Sequence, residues 1–216
     1  YGSGVLIQEK GGTVQECWIT GNETNTHLTG CGVYMFGGKV TRCLITDNGS
    51  GVVTDIIPDV AGAGWLANFT GGGVRQDGGW LEYSVIRDNA AYKGGGVHIT
   101  GGTMLNCTVT ENYAALDGSG GILRDGGTIY NTIIWGNEAY TNEIAGTGCP
   151  DWSGSSSEDY NCCAPISVGA NCQTNSPNFR EPTAGDYRLR VPSACIDKGE
   201  YSSWMVGELD FLGQPR

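Results

Sequence analysis

The sequence predicts an all-β fold: a right-handed parallel β-helix (solenoid) of about five turns over residues 1–137, followed by an irregular C-terminal cap over 138–216. Three observations carry that expectation. One phrase recurs five times, as GTVQECWITGN at 12–22, GKVTRCLITDN at 38–48, GWLEYSVIRDN at 79–89, GTMLNCTVTEN at 102–112 and GTIYNTIIWGN at 127–137. Each copy follows a glycine set before an apolar residue, at Gly4-Val5, Gly32-Val33, Gly73-Val74, Gly96-Val97 and Gly121-Ile122. Each copy closes on asparagine, at Asn22, Asn48, Asn89, Asn112 and Asn137. A period of about 20–30 residues made of short β-like runs and glycine corners marks a solenoid. Right-handed coiling follows from the general handedness of parallel crossover connections.

Taken in order, each repeat supplies its strands by alternation. Val14, Val40, Leu81, Met104 and Ile129 share one inward column. Cys17, Cys43, Ser84, Cys107 and Thr132 share the next, and Ile19, Ile45, Ile86, Val109 and Ile134 a third, because residues two apart point to one face of a strand. Trp18, Leu44, Val85, Thr108 and Ile133, lying between the last two columns, are expected to face outward or into a flanking layer. Asparagine suits left-handed corners, and stacked asparagine side chains can hydrogen-bond along a ladder. The spacing between copies is 26, 41, 23 and 25 residues, so an insert, placed at 49–68, interrupts the second turn. It reads as a side loop over the flank or a partner-contacting loop.

Composition narrows the function classes. Glycine is 37 of 216 residues without a G-X-Y period, which excludes collagen. A net charge of −11 and a pI near 4.4 exclude a basic nucleic-acid stripe and disfavour anionic membrane surfaces. No apolar run is long enough for a spanning helix. The chain opens on Tyr1 inside a repeat, without an initiator methionine or signal peptide, and reads as a mature protein or an excised piece of a larger one. The tail after Asn137 is polar and rich in Ser, Asn, Gly and Cys, and is expected to cover the last turn.

The best candidate face for chemistry is the first strand of three successive repeats: Val74-Arg75-Gln76-Asp77, Val97-His98-Ile99-Thr100 and Ile122-Leu123-Arg124-Asp125. With the aliphatic residue inward, Arg75, His98 and Leu123 point outward in one column and Asp77, Thr100 and Asp125 in the next. Arg124 falls on the inward column. Arg75, Asp77, His98, Arg124 and Asp125 therefore form a possible glycan-binding face, weighed against solvated strand residues and Asp-Gly-Gly turns. Trp18, Tyr34, Phe36, Trp80, Tyr83 and Trp135, read as exposed, could stack on sugar rings. No catalytic constellation, resident cofactor or metal site emerges. A weak Ca²⁺ contact at Asp47, Asp88 and Glu111 is weighed against plain solvated corners, and the latter is preferred.

These residues carry a family resemblance. GGGVHITGGTMLNCTVTEN and NTIIWGNEA are similar to phrases of the right-handed parallel β-helix repeat proteins of bacterial surfaces and secretions, including polymorphic outer-membrane-protein-like repeats. DYRLRVPSACIDKG followed by ELDFLGQPR resembles the close of such proteins that carry a C-terminal anchor, with Ala194-Cys195 departing from the usual pattern and no anchor after Arg216. The resemblance implies an extracellular or surface location, which permits disulfides. Nine cysteines are present. Cys17, Cys43 and Cys107 read as buried thiols, although Cys17 and Cys43, on adjacent turns, could pair if geometry allowed. Cys31, Cys149, Cys162, Cys163, Cys172 and Cys195 remain as an even set that could staple the cap.

Two functions stand side by side. The first is a non-enzymatic extracellular structural subunit that assembles head to tail into a filament or surface layer, or adheres, with Val5, Ile7, Val14 and Ile19 at the contact and a second copy as partner. The alternative is a carbohydrate-active β-helix: a polysaccharide lyase, a glycoside hydrolase or a glycan-binding module.

Overall fold

The computed structural model describes residues 4–23, 32–49, 69–115, 119–139, 152–154, 174–199 and 207. Its core is a parallel solenoid built from rungs of three short strands. The first rung is β1 (Val5–Ile7), β2 (Thr13–Gln15) and β3 (Trp18–Thr20). The second is β4 (Val33–Met35), β5 (Lys39–Thr41) and β6 (Leu44–Thr46), and the third β7 (Val74–Gln76), β8 (Trp80–Glu82) and β9 (Val85–Arg87). After β10 (Ala90–Ala91) comes the fourth, β11 (Val97–Ile99), β12 (Thr103–Leu105) and β13 (Thr108–Thr110). After β14 (Tyr113–Ala114) comes the fifth, β15 (Ile122–Arg124), β16 (Thr128–Tyr130) and β17 (Ile133–Trp135), then β18 (Glu138–Ala139) and β19 (Trp152–Gly154).

First strands stack as sheet A in the order β1-β4-β7-β11-β15-β19, second strands as sheet B from β2 to β16, and third strands as sheet C from β3 to β17. Every pairing in these sheets is parallel and in register, for example Val33↔Val74, Val40↔Leu81 and Ile45↔Ile86. β10, β14 and β18 form a small fourth sheet. From first rung to fifth the stack advances about four turns, which corrects the five counted from the repeats. No helix among the described residues is long and apolar enough to cross a membrane.

Each strand is only three residues long because a left-handed corner follows it. One corner is glycine, as at Gly79 and Gly102. The corner between sheets B and C is held by Glu16, Arg42, Tyr83, Asn106 and Asn131, all with φ between 47° and 55°. The third is occupied by Gly21, Asp47, Asp88, Glu111 and Gly136. A non-glycine residue in this region costs about 1–2 kcal/mol, so contacts between rungs must overdetermine the corner. Inside, Val33, Met35, Val40, Ile45, Val74, Leu81, Ile86, Val97, Ile99, Met104, Val109, Ile122, Ile129 and Ile134 form one apolar column, each fully buried. The inward residues of the second to fifth rungs are therefore read correctly from the sequence, whereas Cys17 in the first rung, expected as a buried thiol, is exposed, and the run from Val40 to Ile45 bends through a corner.

Asparagine supplies the strongest inter-rung contact. Nδ2 of Asn22 donates to Oδ1 of Asn48 at 2.8 Å, Asn48 to Asn89 at 2.9 Å, Asn89 to Asn112 at 3.0 Å and Asn112 to Asn137 at 2.9 Å. The backbone N–H of each donates to the same oxygen at 3.0–3.1 Å. Asn89 Nδ2 also reaches the carbonyls of Ile45 and Arg87 at 2.9 and 2.8 Å, so one amide satisfies two corner carbonyls. A Cβ on Gly96 would sit 2.8 Å from both Asn112 Nδ2 and the carbonyl oxygen of Gly121, so glycine is required where the chain passes this ladder.

The disulfide-stapled cap is overturned. Among the described residues no disulfide is formed, and Cys17, Cys43, Cys107 and Cys195 are thiols. Of the staple candidates, only Cys195 is described; Cys31, Cys149, Cys162, Cys163 and Cys172 lie outside the described residues, as does the insert at 50–68. The described tail is organised by an antiparallel pair, β20 (Phe179–Glu181) with β21 (Asp186–Leu189). Tyr187 lies edge-on to Phe179 at 5.3 Å, donates its hydroxyl proton to Glu111 and carries the Arg87 guanidinium 5.9 Å above its ring. The hairpin thus contacts the flank of the third and fourth rungs. Hydrogen bonds and aromatic contacts hold it there.

Removal of a ladder amide should be costly. Asn89→Ala removes the acceptor of the buried Asn48 backbone N–H and the side-chain donor to the Ile45 and Arg87 carbonyls, and about 3 kcal/mol of stability should be lost. Asn22→Ala, at the half-buried end, should cost about 1 kcal/mol. Urea unfolding of both variants measures the difference.

Candidate functional site

The first-strand face expected from the sequence becomes a connected polar cluster on the outside of sheet A. Register places Tyr34, Arg75, His98 and Leu123 in one column. Asp77, Thr100 and Asp125 follow immediately after the strands. Asp77 accepts three hydrogen bonds: Tyr34 Oη at 2.7 Å, Arg75 Nε at 2.6 Å and Thr100 Oγ1 at 2.6 Å. Burial alone would raise its pKa, but the bonds from Thr100 and Tyr34 and the Arg75 charge outweigh burial and hold it below the usual value.

His98 sits at the centre and is only 5% exposed. Its Nδ1 faces Arg75 Nη1, which can only donate, so Nδ1 carries the lone pair. The Nε2 proton is then directed to Asp125 Oδ2 at 2.8 Å. Thr70 Oγ1 lies 2.7 Å from Nδ1 and accepts from Arg75 Nη1 at 3.3 Å. Burial first, and the Arg75 charge second, push the imidazole below its ordinary pKa despite Asp125. At neutral pH the cluster therefore comprises a neutral histidine, an arginine and two carboxylates. It spans the second rung to the fifth.

Several sequence expectations change here. His98 is not a solvated strand residue: Arg75 and Thr70 cover it. Arg124 is 5% exposed on the inward column and donates to the Gly127 carbonyl from Nε at 3.1 Å and Nη2 at 2.6 Å, so its guanidinium is directed away from the outer face. Tyr34 and Tyr83, read as exposed, are buried, Tyr34 beneath Phe36 at a centroid distance of 4.4 Å and Tyr83 in a corner. Trp18 and Trp80 are 71% and 48% exposed but belong to sheets C and B, so the aromatic residues do not line one face. Thr70 was missed because it arrives just after the insert, and its register partner in the next rung is a lysine, Lys93. Tyr34 could have been found, since it shares its column with Arg75 and His98.

The cluster's hydrogen bonds hold its groups in place. Asp77 is saturated with donors, and both nitrogens of His98 are engaged. Among the described residues the carboxyl pushed upward in pKa is Asp88, mainly by burial, and it lies at the far corner beside Arg87. Among the described residues no group of three or more His, Cys, Asp or Glu side chains could hold a metal ion. Asp47 accepts from Thr46 at 2.9 Å, while Asp88 and Glu111 face Arg87 and Tyr187.

The residues expected at an assembly contact all belong to the first rung. Ile7 and Ile19 are 6% exposed within the core cluster, and Val5 and Val14 are partly buried against it. Outward from them, Leu6 is 42% exposed. An open depression of about 570 Å³, lined by Leu6, Gln8, Glu9, Lys10 and Phe36, adjoins the Tyr34 end of the polar cluster. No protein-family model matches the chain, and neither a curated protein nor a solved structure matches it.

The cluster makes stability depend on pH with a definite sign. The folded-state pKa of His98 is depressed, so the native state binds fewer protons and its stabilisation is complete above the unfolded value of about 6.5. It is lost as pH falls through the folded value, when an imidazolium N–H would face the Arg75 N–H. Urea midpoints should fall from pH about 7 to 5, and His98→Gln should flatten that step. Asp77 acts with the same sign below the ordinary aspartate value of 3.8.

Proposed function

We propose that this chain is a non-enzymatic structural solenoid of the bacterial secreted or surface β-helix kind, acting outside the cell, whose first rung seats against the far end of a second copy. The observation that carries this reading is the contrast between the rungs. In the second rung Val33, Met35, Val40 and Ile45 are completely buried, while in the first Val5 and Val14 are only partly covered. β1, β2 and β3 end their sheets among the described residues, so each offers one edge of backbone donors and acceptors. A second copy's rung in the same register would pair those edges and cover the aliphatic column. The polar cluster on sheet A supports the reading further, because its hydrogen bonds tie successive rungs together.

A carbohydrate-active role is the second reading, favoured by the depression beside Phe36 and by Asp125, whose side chain is 60% exposed next to His98.

Electron microscopy and sedimentation of the purified protein separate the readings. Head-to-tail stacking yields fibres that Val5→Glu and Val14→Glu dissolve while circular dichroism stays unchanged. A closed dimer would contradict head-to-tail polarity. A monomer that binds or depolymerises uronic-acid polymer would replace the structural reading with the carbohydrate one.

A further inference from the structure

The corner between sheets B and C carries a thiol pair that neither the stack nor the polar cluster uses. Cys17 and Cys43 occupy equivalent positions on adjacent rungs, bracketed by the register pairs Gln15↔Thr41 and Trp18↔Leu44. The Leu44 N–H donates to the Cys17 carbonyl at 2.9 Å, which fixes the two corners directly over one another. In-register parallel strands lie about 4.8 Å apart, within the Cα separation of about 4.4–6.8 Å that a disulfide spans. Cys43 is completely buried, and its Sγ leans back to the first rung, 3.6 Å from the Val14 carbonyl oxygen as well as 3.3 Å from that of Thr41. Cys17 is exposed, with its Sγ 3.1 Å from the Gln15 carbonyl oxygen. One thiol is open to solvent, and the other lies buried beneath it in the same column.

We propose that Cys17 and Cys43 are a modification site: an oxidising small-molecule disulfide converts them into a cross-rung disulfide that locks the first rung to the second. The Cys17 thiolate attacks the oxidant, forming a mixed disulfide and releasing one small thiol. The Cys43 thiolate then attacks Cys17 Sγ, closing the protein disulfide and releasing the second small thiol. Two protein thiols are oxidised, one oxidant disulfide is reduced, and the two protons given up by the protein thiols end on the two small thiols released. Burial raises the Cys43 thiol pKa, with Cys17 beside it, so the exposed thiol reacts first and closure is faster in mild alkali. Cys107 provides an internal contrast. Its column neighbours on the adjacent rungs are Ser84 and Thr132, so it has no thiol above or below it in the column. The inference stands whether or not the solenoid associates.

The test uses the whole chain with oxidised glutathione at pH about 8, then alkylation and cleavage after Arg and Glu. The expected product is peptide 17–23 joined to peptide 43–75, lighter than their sum by two hydrogens, with Cys107 alkylated. In Cys43→Ser, glutathione should remain on Cys17; serine fits that column, as Ser84 already does. Recovery of Cys17 and Cys43 both alkylated would overturn the proposal. So would a stable glutathione adduct on Cys17 in the unmutated protein, or peptide 17–23 joined to any other cysteine.

Discussion

The asparagine ladder is the constraint on which the rest of the solenoid depends. Three-residue strands are too short to define a sheet alone, and the two corners on either side of sheet C force Arg42, Tyr83, Asp88 and similar residues into left-handed backbone. What makes the corner after sheet C recur at the same place is a buried amide that bonds the next rung's amide, a carbonyl of its own rung and a carbonyl of the rung before. The step from Asn48 to Asn89 shows its strength: 41 residues separate them, against 23 to 26 elsewhere, yet the 2.9 Å contact is kept. Extra chain is accommodated without shifting the register.

Much of this was legible in the sequence because it repeats. The Gly-Val pairs, the aliphatic columns and the closing asparagines all recur, and the parallel register follows them. Corners at Glu16, Arg42, Tyr83, Asn106 and Asn131 carry no shared turn residue, and their mark in the sequence is the three-residue step between inward columns, as from Val40 to Cys43, where alternation breaks. Burial of His98 was hidden in the sequence. Its cover includes Thr70, which lies beyond an insert and whose register partner in the next repeat is Lys93, a different side chain. Arg124 shows the limit of a column rule: its position is inward, and the guanidinium satisfies that placement by binding the Gly127 carbonyl. The expected staple of the cap failed because an even cysteine count says nothing about pairing, and Cys195 remains a thiol.

Polar residues on the outer face of sheet A tie successive rungs together. Tyr34, Arg75, Asp77, His98, Thr100 and Asp125 come from four successive rungs and bond across them. Such saturation adds rigidity in the direction of stacking, where the parallel ladders and the asparagine column already act. The polar interactions of the molecule therefore run mainly along its axis. The chemistry left over lies at its margins: the partly covered first rung, and the thiols at its corner.

Amide hydrogen exchange tests the central claim most directly. If the ladder governs the stack, the backbone amides of Asn48, Asn89 and Asn112 exchange only through global unfolding, with urea dependence matching that of the whole solenoid. Exchange of those amides by local opening, ahead of the apolar strands around Ile45 and Ile86, would contradict the account.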